Sequence, residues 1–153
     1  MRTERKCPDC EGKLVQISHR LRRVFGGRTL EADVPAMKCK DCKAEPQVAI
    51  GVLLAFDRAI VKELASSGPV GGESFRFLRD AANLSGQELA VLLDVRRETV
   101  SRWEHDRAPI DRAAWVTIGA LAIDQLGGRD DTVRRLQALG KKGRKRVHLD
   151  LAA

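Results

Sequence analysis

The chain has 153 residues, 43% hydrophobic and 4% aromatic with no tyrosine, and it carries a formal net charge of +7. That length suits one ordinary domain or two small ones with a mostly aliphatic core, and the basic balance favours a polyanionic partner. No apolar run reaches the roughly 18 residues of a membrane span, and no apolar stretch follows the start MRTERK, so a cytoplasmic protein with no membrane partner is expected. The charge is uneven: residues 1–43 hold 11 Lys and Arg against 6 Asp and Glu, and residues 129–153 hold 8 against 3, whereas residues 73–112 hold 7 against 8.

The first patterned stretch is Cys7-Pro-Asp-Cys10, and Cys39-Lys-Asp-Cys42 repeats its spacing 28 residues later. Between them, Leu14, Val15, Ile17, Leu21, Val24, Leu30 and Val34 alternate in part around Gly26-Gly27-Arg28, which predicts a β-hairpin with a glycine turn. Such a hairpin returns the second pair to the first and completes a four-sulfur site, so Cys7, Cys10, Cys39 and Cys42 are expected to bind one zinc ion. Four protein ligands leave no open position for water, which makes the ion structural. Lys6, Lys38, Lys40 and Lys43 flank the ligands and would favour thiolate over thiol. Sulfur geometry alone does not separate iron from zinc, so an S4-metal redox or electron-transfer protein is the alternative from another class. Neither CxxC opens a convincing helix, as a thioredoxin-like pair would.

Residues 48–65 place Val52, Leu53, Phe56, Ile60 and Leu64 on one stripe and predict an amphipathic helix. The run SSGPVGGES, residues 66–74, is nearly devoid of apolar side chains and reads as a flexible linker. Beyond it, helical patterns occupy 75–82, 86–92, 97–105, 112–126 and 131–139. The expected fold class is therefore two domains: a small β-rich zinc-binding module with one helix at 1–65, then an all-α helix-turn-helix domain of about five helices at 75–139. A basic tail, 140–153, closes the chain.

Within the second domain, Ser85-Gly86-Gln87-Glu88 has the S-x-x-E form of a capping box. A second short helix begins near Arg97, with Val100 and Trp103 as its apolar pair. Asp94, between the two, is one of the few residue types besides glycine that tolerate a left-handed conformation. The run LRDAANLSGQELAVLLDVRRETVSRWEHDRAP resembles the helix-turn-helix of Xre/Cro-type repressors at Leu84, Ser85, Leu89, Ala90, Val95, Val100, Ser101, Trp103, Glu104 and Pro109. With the two CxxC pairs, the whole chain resembles the MqsA-type antitoxins, which join a zinc-finger domain to such a DNA-binding domain.

The resemblance implies that Leu89, Ala90, Val100 and Trp103 form the core between the two helices while Arg97, Glu98 and Arg102 enter the major groove. Arg102 aligns with a base-contacting arginine, while Glu98 and Gly86 depart from the antitoxin pattern, which implies a different operator. The helical positions agree, since 97, 98 and 102 lie opposite Val100 and Trp103. Glu98 is either a base reader or a partner for Arg102 at i+4. Arg96 stands at the N-cap, where Ser or Thr is typical and a positive charge is unfavourable; a nearby phosphate would explain it. The expected DNA-contacting set is Gln87, Arg96, Arg97, Glu98, Thr99, Ser101 and Arg102.

On 111–126, Trp115, Ile118, Ala122 and Leu126 form one apolar stripe and Val116, Ala120 and Ile123 an adjacent one. The second is either a homodimer surface or the seat of the last helix. The tail GKKGRKR, 140–146, is either a phosphate-neutralising arm or a solvated end. No catalytic constellation is found, so an enzyme is not expected. These readings point to a dimeric repressor acting on a palindromic operator in double-stranded DNA. The resemblance implies a type II antitoxin that binds a toxin ribonuclease through its zinc module and represses its own operon; a free-standing regulator is the alternative.

Overall fold

The computed structural model describes residues 6–139. Two antiparallel strands, β1 (Leu14–Phe25) and β2 (Arg28–Cys39), form the hairpin, and six helices follow: α1 (Ile50–Ser66), α2 (Gly72–Ala81), α3 (Gly86–Leu93), α4 (Arg97–Glu104), α5 (Arg112–Leu126) and α6 (Asp131–Leu139). The expected hairpin is present with its turn at Gly26 and Gly27, both at positive φ. Its register pairs Phe25 with Arg28 at the tip and Leu14 with Cys39 at the base. The fold class is as expected from the sequence: a β-hairpin carrying the four cysteines and followed by one helix, α1, then five helices, α2 to α6, that include the helix-turn-helix.

Helix boundaries follow local chemistry. The Ser85 hydroxyl accepts the Glu88 N–H at 3.2 Å and the Glu88 carboxylate accepts the Ser85 N–H at 2.7 Å, so the capping box opens α3. That amide, donated to Glu88, also holds the Glu88 carboxyl below its usual range. Asp94 ends α3 at φ 52° and ψ 44°; the Val95 N–H then returns to the Ala90 carbonyl at 3.0 Å, and the chain turns into α4. Asp111 caps α5, its carboxylate accepting the Ala114 N–H at 2.9 Å.

One buried cluster joins Phe25 of the hairpin and Ile60, Val61 and Leu64 of α1 to Phe75, Leu78, Val100, Trp103, Trp115 and Ile118 of the later helices. Phe75 sits at its centre, with ring centroids 5.5 Å from Trp103 and 6.5 Å from Trp115. Helix α1 packs mainly on α5, and Gly119 lets it approach so closely that a Cβ there would lie 3.1 Å from that of Ala65. The apolar stripe of this helix, expected in the first module, is covered in part by the later helices.

Residues 66–74, expected as a linker, make specific contacts with the helices on either side. Ser66 ends α1 and Gly72, Glu73 and Ser74 begin α2. The Ser67 carbonyl accepts the Trp115 indole N–H at 2.7 Å, and Ser74 is fully buried with its hydroxyl donating to Gly71 O at 2.6 Å. The glycines here serve close backbone approach: a Cβ on Gly72 would overlap the carbonyl oxygens of Trp103 and Glu104. Composition alone does not distinguish that use of glycine from flexibility.

The two stripes of α5 also separate. Trp115, Ile118 and Ala122 are buried, whereas Val116 is 66% exposed and Ile123 37%. Helix α6 packs against α5 and α3 through Val133 and Leu136 and does not cover the second stripe. The basic tail from residue 140 lies outside the described residues.

Since Phe25 is 1% exposed and its ring lies 5.3 Å from that of Phe77 on α2, truncating it should loosen the helices as well as the hairpin. Phe25→Ala is expected to cost about 3–5 kcal/mol. Thermal melts followed by helical circular dichroism should show one lowered transition; an unchanged helical transition would mean that the hairpin is energetically separate.

Candidate nucleic-acid interface and metal centre

Helix α4 is held from beneath and leaves its outer face free. Val100 is 1% exposed and Trp103 6%, while Arg97, Glu98, Ser101 and Arg102 are exposed. These four line one shallow depression together with Arg107. Arg107 was not singled out from the sequence. Its position follows from the left-handed Asp106 at φ 54°, after which the Arg107 N–H returns to the Arg102 carbonyl at 2.8 Å. A basic residue just past α4 was the available signal.

Among the described residues, no ion pair engages Arg96, Arg97, Glu98, Arg102 or Arg107. The i+4 pairing of Glu98 with Arg102 is thus not formed, and four guanidinium groups and one carboxylate face outward together. Arg96 is the N-cap of α4 at φ −74° and ψ 148°, with no side-chain cap bond. The Thr99 N–H, which corresponds to the Glu88 N–H capped by Ser85 in α3, donates instead to the Arg96 carbonyl at 2.9 Å, and the Arg97 and Glu98 N–H groups have no side-chain cap. Thr99 is half-buried. Gln87, on the first turn of α3, borders a different hollow with Leu84, Glu88, Val91, Leu92 and Val133 and is not brought together with the arginines.

A buried ion pair fixes the opposite side of α4. The Arg79 guanidinium donates to the Glu104 carboxylate at 2.5 Å and to the Leu84 carbonyl at 2.7 Å, and the side chains are only 11% and 10% exposed. Arg79 thus ties α2 both to the last turn of α4 and to the segment entering α3. Removing one partner of such a pair strands the other charge in a poorly solvated site.

At the base of the hairpin the sequence forms two interlocked turns. In the first, the Cys7 N–H donates to Gly12 O and the Glu11 N–H to Cys7 O, both at 2.9 Å. In the second, the Asp41 N–H donates to Cys39 Sγ at 3.3 Å. The Asp41 carboxylate accepts the Lys13 N–H at 3.1 Å, and a Cβ on Gly12 would collide with that carboxylate. The result brings all four cysteine sulfurs within 4.8 Å of one another, with Cys7 to Cys42 at 3.7 Å and Cys10 to Cys39 at 3.5 Å.

Sulfurs about 2.3 Å from a central ion in a regular tetrahedron are about 3.8 Å apart, so the cluster has the dimensions of a metal site and could hold an ion such as zinc. Its titration supports the same fit. The Asp41 amide, against the opposing effect of burial, holds the Cys39 thiol down to about 7. Although the Gly12 amide favours the Cys10 thiolate, the thiols of Cys39, Cys42 and Cys7 together with burial push Cys10 up to about 12. One sulfur releases its proton readily and its neighbour resists, as expected where several negative sulfurs need a cation between them. Lys6, Lys38, Lys40 and Lys43 are all exposed around the site.

One equivalent of zinc should bind per chain, and Cys39→Ser should abolish tight binding. Ligation displaces protons, so affinity must fall as pH falls. Below about 7, where Cys39 is itself protonated, the loss should exceed about tenfold per pH unit because more than one thiol proton is displaced. Chelator competition at several pH values measures this; a pH-independent affinity would show that the sulfurs are not the ligands.

No helix among the described residues is long and apolar enough to cross a membrane. No curated protein matches the chain. Residues 75–114 match the helix-turn-helix family, and this segment spans α2, α3, α4 and the start of α5, including the arginine-lined face. The chain therefore contains an Xre-type helix-turn-helix domain, which supports a DNA-binding transcriptional regulator.

Proposed function

We propose that the chain is a sequence-specific repressor that binds a palindromic operator as a homodimer, with α4 in the major groove. The observation that carries this reading is the unpaired outer face of α4, where Arg97, Glu98, Ser101 and Arg102 lie beside Arg107. Arg102 reads a guanine edge, the commonest specific contact of arginine. Glu98, lacking an ion-pair partner, accepts from a cytosine amino group, since a phosphate would repel it. Arg96, Arg107 and the uncapped N–H groups of α4 receive phosphates, with Thr99 and Gln87 as further polar contacts.

The exposed Val116 and Ile123 of α5 are the homodimer surface, and the four cysteines hold one structural zinc ion. The combination of this centre with an Xre-type domain supports a type II antitoxin that binds a toxin at its metal-bearing end and represses its own operon.

The test uses a duplex enriched from a random library by the wild-type protein and a scrambled duplex of the same composition. Arg102→Ala should weaken binding to the enriched duplex by about tenfold to a hundredfold, corresponding to about 1–3 kcal/mol, with little change on the scrambled one. Equal binding to both duplexes by the wild type would overturn the reading. For the antitoxin role, the chain should relieve growth arrest caused by the product of an adjacent reading frame and should co-purify with it.

A further inference from the structure

The free face of α4 can discriminate bases only if the helix is held at a fixed pitch, and the contacts that hold its C-terminal end extend beyond the helix-turn-helix. Asp106 follows α4 in the left-handed region, φ 54°, which Asp, like Asp94, tolerates better than most residues other than glycine. Its carboxylate accepts the Gly72 N–H at 2.7 Å, at the start of α2. There an uncompensated helix terminus has free donors, and a negative charge is favourable. Gly72 is in turn so close to the Trp103 and Glu104 carbonyls that no Cβ fits.

The same backbone segment is held from its other side by the hairpin. At Gly26, the first turn residue, a Cβ would overlap the carbonyl oxygen of Val70, and Phe25 beside it is buried against Phe77 of α2. Arg28, across the turn, donates to the Ser67 hydroxyl at 2.7 Å and pairs with Glu63. Hairpin tip, residues 70–72 and the end of α4 thus form one continuous bracket. None of these groups lies on the outer face of α4, so they act on recognition through its orientation.

We propose that Asp106 is a positioning residue for the recognition helix, and that the tip of the N-terminal hairpin contributes to operator discrimination through it. This rests on α4 being the recognition helix, as argued above. A residue that sets orientation affects binding where base edges must be matched and leaves backbone attraction to phosphate largely intact. Losing the bracket therefore lowers the ratio of specific to nonspecific affinity, which a general loss of folding does not do.

The experiment measures full-length, metal-loaded protein on the enriched and scrambled duplexes by fluorescence anisotropy, with circular dichroism as the check on folding. Asp106→Ala should reduce affinity for the enriched duplex by about tenfold and the scrambled one by a smaller factor, the latter through Arg107, whose seat follows from the Asp106 turn. Asp106→Gly, which relieves the backbone but removes the acceptor, should behave like the alanine variant. Asp106→Asn keeps an oxygen acceptor and should stay near wild type. Gly26→Ala should reproduce the selective loss from the hairpin side.

Equal losses on both duplexes, or wild-type discrimination in Asp106→Ala and Asp106→Gly, would overturn the role of Asp106. Wild-type discrimination in a folded Gly26→Ala would overturn the role of the hairpin. Arg102→Ala in the same assay separates the premise: if it leaves the ratio intact while Asp106→Ala lowers it, Arg102 is not the base contact while the seating of α4 still sets discrimination.

Discussion

Two glycines, Gly26 and Gly72, lie where the polypeptide backbone is crowded by its own carbonyl groups, with Gly71 turning the chain beside them, and the arrangement of the molecule follows from those approaches. Gly26 lets the hairpin turn meet residue 70, Gly71 turns the chain at φ 107°, and Gly72 lets α2 begin against the end of α4. A side chain at either close approach would push apart two elements that now share one buried cluster. The conformational entropy lost on ordering glycine is large. It is offset here by the burial of Phe25, Phe75 and Trp103, whose contacts those approaches permit.

The hairpin illustrates how a small element is stabilised from both ends. A two-stranded ribbon is marginal in water by itself, and this one is the only sheet among the described residues. At its tip it inserts Phe25 into the helical core, and at its base the turns around Cys7 and Cys39 interlock through Asp41 and Lys13. These anchors differ in chemistry: the tip depends on apolar burial and holds over a wide pH range, whereas the base depends on the protonation state of crowded thiols. The middle of the ribbon, with Arg20 paired to Asp33 in the open, adds little to either.

Signals confined to a few neighbouring residues were legible in the sequence. The two CxxC spacings, the Ser85 to Glu88 capping box, the left-handed Asp94 and the absent cap at Arg96 each depend on local chemistry, and each was found where the residues indicated. What the sequence did not disclose depends on partners distant along the chain. Residues 66–74 have the composition of a linker, yet the segment is held by Trp115, Gly26 and Asp106, which lie some 40 residues away on either side. The stripe on α1 was visible, but periodicity cannot say which surface covers it. Arg107 lay outside any periodic pattern and came into the α4 face through a backbone turn.

The hairpin is also a lever. Twelve residues per strand give an arm of about 40 Å, fastened to the helices at its tip and carrying the thiol cluster at its other end. An angular displacement of about 5° at the fastening corresponds to about 3 Å at the cysteines. A partner that grips the cysteine end therefore has mechanical advantage over the backbone that seats α4, and it can apply torque there without coming near the arginines.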